Sequence, residues 1–186
     1  TVMEGAKEGL AAARNRALEA ARGRVMVSIN DDVRPERGFL DAHAAEHRRA
    51  RALGRKVIVS GASPFVVHEP DRLLDRLLRE TSMVFFYDRM NEDEPERDWG
   101  FRHAWGLNFS ADLEAVRALG GFAVLPATYG YEDNELAWRL RERHGAPVLY
   151  RPGARAPHDH RMEPGEYLER EYKLGYAAWG FGRHCP

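Results

Sequence analysis

Arg24-Val25-Met26-Val27-Ser28-Ile29-Asn30-Asp31-Asp32 reads as an apolar strand that runs into two adjacent acids. A strand that delivers carboxylates into a loop suits a divalent cation held against a phosphate, because Mg²⁺ and Mn²⁺ take oxygen ligands and are often bound by one or two carboxylates beside substrate phosphates. Working outward, Leu10 to Ala21 is made of strong helix formers, and Gly23 is placed to end that helix before the strand. Pro35 and Glu36 open a second helix to about Ala52, and Lys56 to Ser60 reads as a short strand closed by Gly61. Asp71 to Glu80 carries Leu73, Leu74, Leu77 and Leu78 on one stripe, the pattern of a packing helix. A strand is expected over Ala104 to Phe109, with Ser110 capping a helix that stops at Gly120-Gly121. Glu132 to Arg143 reads as a helix ended by Gly145-Ala146-Pro147, Val148 to Arg151 as a last short strand, and Glu166 to Phe181 as a helical pattern. This alternation predicts an α/β sheet.

With 44% hydrophobic and 31% charged residues, the 186-residue chain can bury the core of one domain, residues 1–186. Lys and Arg number 28 against 29 acids, so no global basic field draws the chain to nucleic acid, although single Arg forks can still hold phosphates. Cys185 is the only cysteine, which excludes an internal disulfide and a cysteine metal cluster and points to a reducing cytoplasm. No stretch has the run of apolar residues a membrane span needs, nor does the N-terminus have a signal-peptide layout; association at the cytoplasmic face of a membrane stays open. The charged, proline-containing stretch Asp88 to Asp98 predicts a mobile surface loop, and its place before Trp105 suggests an acceptor-side lid.

Five groups of residues could carry chemistry. Asn30-Asp31-Asp32 lies at a strand's carboxyl end, where open α/β sheets bind ligands, though an ordinary turn uses the same residues. Tyr129-Gly130-Tyr131-Glu132-Asp133 puts two acids at a helix N-terminus, which favours an ionised carboxylate suited to a general base and equally suits any first turn. In Pro157-His158-Asp159-His160 an imidazole could complete a cation's shell, or both rings could simply be solvated. Arg14-Asn15 sits on a small-residue helix from which Arg14 could reach a diphosphate, the alternative being a solvated Arg. Trp105-Gly106-Leu107-Asn108-Phe109-Ser110 pairs an aromatic with a glycine, suiting a sugar face or a core Trp beside a bulge.

In order and spacing these pieces resemble the family 2 glycosyltransferases of the GT-A fold. The resemblance rests on Gly9 through Arg14-Asn15 to Gly23, the acidic motif, Trp105 to Ser110 followed by Gly120-Gly121-Phe122, and Glu132-Asp133 continuing to Glu135-Leu136 and Arg139-Leu140. It implies a mixed, mainly parallel, Rossmann-like sheet flanked by helices. It also implies metal-dependent transfer of a sugar from a nucleotide-diphosphate sugar to the hydroxyl of a carbohydrate, lipid-linked or small-molecule acceptor, with inversion. By that resemblance Asp32 and Asp31, with His158 or His160, would hold Mn²⁺ or Mg²⁺, Asp133 would be the base with Glu132 supporting it, and Arg14, Asn15, Asn30, Trp105 and Gly106 would face the donor. The family's motif usually opens with Asp where this chain has Asn30, and the family's first nucleotide-binding β-α-β segment is expected to precede Thr1. A retaining transferase, a nucleotidyltransferase and a noncatalytic carbohydrate-binding or scaffold domain are the competing readings; a scaffold has no reason to bring Asp32 and His158 into one coordination sphere.

Overall fold

A computed structural model describes residues 9–90, 93–125 and 130–185. Four strands form one sheet: β1 (Val25–Ile29), β2 (Ile58–Ala62), β3 (Asn108–Asp112) and β4 (Val148–Arg155), in the order β1-β3-β2-β4. β3 pairs antiparallel with β1 and β2, and β2 pairs parallel with β4. Three strands therefore run in one direction and β3 opposes them. The expected mixed sheet is present, with the shared direction lying in strand orientation rather than in most neighbouring pairs.

Among the described residues there are six α-helices: α1 (Leu10–Ala20), α2 (Phe39–Ala52), α3 (Leu73–Glu80), α4 (Leu113–Ala118), α5 (Glu132–His144) and α6 (Pro164–His184). Side chains alternate across a strand, and β3 uses that alternation to build two different faces. Phe109 and Ala111 pack with Leu18 of α1, Val116 of α4, and Leu136 and Leu140 of α5. Asn108 and Ser110 face α2, where His43 Nδ1 and His47 Nε2 each lie 2.8 Å from Ser110 Oγ and His43 Nε2 lies 3.0 Å from Asn108 Oδ1. Burial lowers both histidines to about 4, so they sit neutral in this layer. Truncating Phe109, which is fully buried, would cost about 3–5 kcal/mol.

Several boundaries differ from the sequence reading. α2 begins at Phe39 rather than at Pro35, because Gly38 at φ 87° sets the turn and Glu36 N–H is taken by Arg155 C=O. β2 runs on through Gly61, where a Cβ would stand 2.3 Å from Ala154 O and 2.5 Å from the Asn108 amide; the glycine is required by close approach and does not end the strand. The strand placed at Ala104 to Phe109 lies at Asn108–Asp112, and Asp112, not Ser110, caps α4 by accepting from Ala115 N–H at 3.0 Å. On α3 only Leu78 of the leucine stripe is buried, while Leu73 is 73% exposed and Leu77 37%. The helix is held instead by ion pairs of Arg72, Asp75 and Arg161.

The Asp88 to Asp98 stretch is a surface segment whose later residues are tied down: Glu96 pairs with Arg49 and Arg55, Arg151 donates to Pro95 C=O, and Val148 N–H donates to Asp98. Asn91 and Glu92 lie outside the described residues. Among the described residues no helix is long and apolar enough to cross a membrane.

Candidate active site

Because β1, β2 and β4 share a direction, the loops after them emerge at one end of the sheet. Those loops carry Asp32, Phe65 and His158, and they are stitched together. Val33 and Phe65 each bridge to His158, Arg34 N–H donates to Pro157 C=O, and Asp159 N–H donates to Asp32 C=O at 2.7 Å. Asp32 Oδ2 lies 3.2 Å from His158 Nε2 and 3.3 Å from His160 Nδ1. One ligand atom from each of the three lies within 4.8 Å of the others. His158 is buried and stacked between Phe65, at 4.9 Å, and His160, at 5.4 Å. Burial lowers its pKa, with Asp32 opposing, and so favours the neutral imidazole that can donate a lone pair. Asp32 Oδ1 and His158 Nδ1 are buried without a hydrogen-bond partner, a cost a protein avoids unless something else satisfies them. One carboxylate and two imidazoles fit a divalent ion. Asp31 is exposed and stands outside this group.

Beside the group opens a cleft of about 240 Å³, lined by Asn30, Phe85, Trp105, Gly106, Glu132, Asp133 and others. Phe85 connects the two regions, its ring 5.4 Å from Trp105 and 6.0 Å from His158. In the first turn of α5, Asp133 Oδ2 accepts from Gly106 N–H at 2.5 Å and Oδ1 from Asn134 N–H at 2.7 Å. Burial first, and the Glu132 carboxylate second, push its pKa up to about 6. Such a carboxylate is mostly ionised at neutral pH and still basic enough to take a proton. Gly106 C=O in turn accepts from Ser28 Oγ–H at 2.7 Å, so β1 helps fix the glycine that holds the base.

Arg14 points into the cleft, but its guanidinium is taken by Glu132 at 2.7 Å and lies over the Phe122 ring at 5.2 Å. A Cβ at position 106 would stand 2.5 Å from Arg14 Nη2, so glycine there makes room for the guanidinium. Asn15 does not face the cleft: its amide donates to Phe122 C=O at 2.8 Å and accepts from Phe122 N–H at 2.7 Å, pinning the Gly121-Phe122 turn. Trp105 lines the cleft within an aromatic cluster of Phe85, Phe86 and Tyr87. Tyr129, at the start of the acidic motif, lies outside the described residues.

Sequence reasoning passed over Val84, Phe85 and Phe86 as a wall, and Arg102 and Arg170 as cationic lining. An aromatic run just before a charged loop was the available signal for the first set. Nothing local marks Arg102 or Arg170.

Residues 1–116 match the sequence profile of glycosyl transferase family 2. The pre-mycofactocin glycosyltransferase of Mycobacterium tuberculosis is 29% identical over 176 residues, which is 92% of this chain and 34% of that protein. The mannosyltransferase PcManGT from Pyrobaculum calidifontis, solved with GDP-Man and Mn²⁺, superposes with a TM-score of 0.64 at 20% identity, covering 97% of this chain and 44% of that one. The chain thus spans about a third of the curated relative and under half of the solved one, and the structural likeness carries the GT-A fold. With the family profile matching more than half of its residues, the chain belongs to glycosyl transferase family 2.

Proposed function

We propose that this chain carries the catalytic centre of a metal-dependent, inverting glycosyltransferase that moves a sugar from a nucleotide-diphosphate donor to an acceptor hydroxyl. The observation that supports it is the meeting of Asp32, His158 and His160 beside a cleft that contains Asp133. A noncatalytic scaffold would have no use for that meeting.

Asp32, His158 and His160 would hold the divalent ion, which supplies positive charge against the diphosphate. Asp133 accepts the acceptor's proton while the acceptor oxygen bonds to the anomeric carbon, and the bond from that carbon to the phosphate oxygen breaks with its electron pair leaving on the nucleotide diphosphate. Attack opposite the leaving group inverts the centre. The N–H groups of Gly106 and Asn134 fix both oxygens of the base, so it meets the acceptor in one orientation. Glu132, locked by Arg14, keeps a second negative charge beside Asp133 and holds its basicity up. Trp105 gives the sugar an apolar face.

The test is calorimetric titration of UDP and GDP, each with Mn²⁺, on the full-length protein and on its Asp32→Ala and Asp133→Asn variants, alongside turnover. Binding that needs both metal and Asp32, with Asp133→Asn binding but not turning over, is expected. Binding of neither nucleotide by the unmutated protein under any metal condition would sink the proposal.

A further inference from the structure

The three metal-group side chains are not held equally. His158 is fixed on all sides: its N–H donates to Pro64 C=O at 2.9 Å, its C=O accepts from Val66 N–H at 3.0 Å, and Phe65 covers its ring. Asp32 is tied through its carbonyl to Asp159. His160 has a half-open side chain, 41% exposed, whose ring rests on that of His158. What fixes it must come through its chain neighbours.

On the N-terminal side Asp159 is tied to Asp32 C=O, Arg34 and His68, and on the C-terminal side the neighbours are gripped by one charge cluster at the start of α3. Arg161, the residue after His160, donates through Nη2 to Asp75 Oδ2 at 2.8 Å and to Pro70 C=O. Arg72 donates to Met162 C=O at 3.3 Å and to Glu163 Oε1 at 2.6 Å. Asp75 joins the two arginines, taking Arg72 Nε and Nη2 at 3.1 Å and Arg72 N–H at 3.2 Å, and is only 8% exposed. A buried carboxylate between two guanidiniums is rigid, because any movement leaves charge unpaired away from water. Residue 161 therefore hangs from Asp75 directly, and 162 and 163 through Arg72, which Asp75 holds.

We propose that Asp75 is a positioning residue for His160, setting the third ligand of the metal group from outside it. The inference rests on the metal reading above. It also gives the exposed helix α3 a purpose that its leucine stripe does not: its N-terminal turn is a bracket for the loop that ends in α6.

The experiment measures Mn²⁺ affinity of the full-length protein by paramagnetic titration of free Mn²⁺, without donor and without turnover. Removing groups that orient metal ligands typically costs 10–100-fold in affinity, and Asp75→Asn is expected to weaken Mn²⁺ about 10-fold. In a His160→Ala background the same substitution is expected to do nothing further, because the ligand it positions is gone. Arg161→Gln, which removes the link and leaves Asp75 paired with Arg72, carries the test should Asp75→Asn fail to fold, and is expected to give the same loss. Unchanged affinity in the folded variants overturns the assignment, as does an equal loss with and without His160, which would mean general loosening. An unmutated protein that binds no Mn²⁺ removes the metal reading itself, and this inference with it.

Discussion

Asp133→Asn is expected to inactivate the protein and to gain stability on its parent as pH rises from 4 to 7.5. The Asp133 carboxyl is pushed up from 3.8 to about 6, by burial first and by the Glu132 carboxylate second. A carboxyl whose folded pKa lies above its unfolded one favours folding in its protonated form. That benefit is complete below about pH 4 and is lost as pH rises through about 6, so at pH 7.5 the ionised group weighs against the fold by up to about 3 kcal/mol. The figure is a ceiling, since Asp133 keeps some contact with water. The amide variant carries no such charge, although it meets two N–H donors, Gly106 and Asn134, with only one acceptor oxygen, at a cost of about 1–3 kcal/mol that does not depend on pH. The pH-dependent part is therefore the clean quantity. Thermal unfolding of both proteins at pH 4 and pH 7.5 should find the variant gaining on its parent by up to about 3 kcal/mol between the two, or about 6–12 °C in Tm for a domain of this size. A difference that is the same at both pH values, or that moves the other way, would refute the burial and repulsion argument.

Asn15→Ala removes both hydrogen bonds to Phe122 and is expected to cost about 2–3 kcal/mol in denaturant unfolding while leaving the donor KM unchanged, because Asn15 holds a turn and not a ligand. Gly61→Ala drives a methyl into Ala154 O and the Asn108 amide and should lower stability by about 3 kcal/mol, read as a drop in denaturation midpoint with unchanged slope.

The elements were legible where one residue type dominates a stretch. The helix formers of α1 and the apolar run of β1 fell within a residue or so of where they were read. Errors arose where a side chain has a second use. Gly61 looks like a strand end and is a packing necessity; Leu73 and Leu77 look like core and face water, because α3 is held by charge. In the site, Asp32, His158, His160, Glu132 and Asp133 were all singled out, yet only their resemblance to a family joined residues more than a hundred positions apart. Local spacing has no means of reporting that β1 and β4 share a direction and empty into the same corner. Nor could it tell that Arg14 would pair with Glu132, or that Asn15 would spend its whole amide on a backbone turn.

Tyr131 enters α5 at φ 69°, left-handed backbone that a bulky side chain occupies at a cost of roughly 1–3 kcal/mol. Opposing that cost is its ring, stacked on Phe181 of α6 at 5.2 Å. The same helix lends Arg170 and Leu174 to the cleft wall. The turn that aims Glu132 and Asp133 is thus held in its unfavourable backbone state from across the cleft. Undocking α6 would remove the far wall and release the base together, so the two should open as one cooperative unit, with the first amides of α5 and those of α6 sharing a single hydrogen-exchange protection.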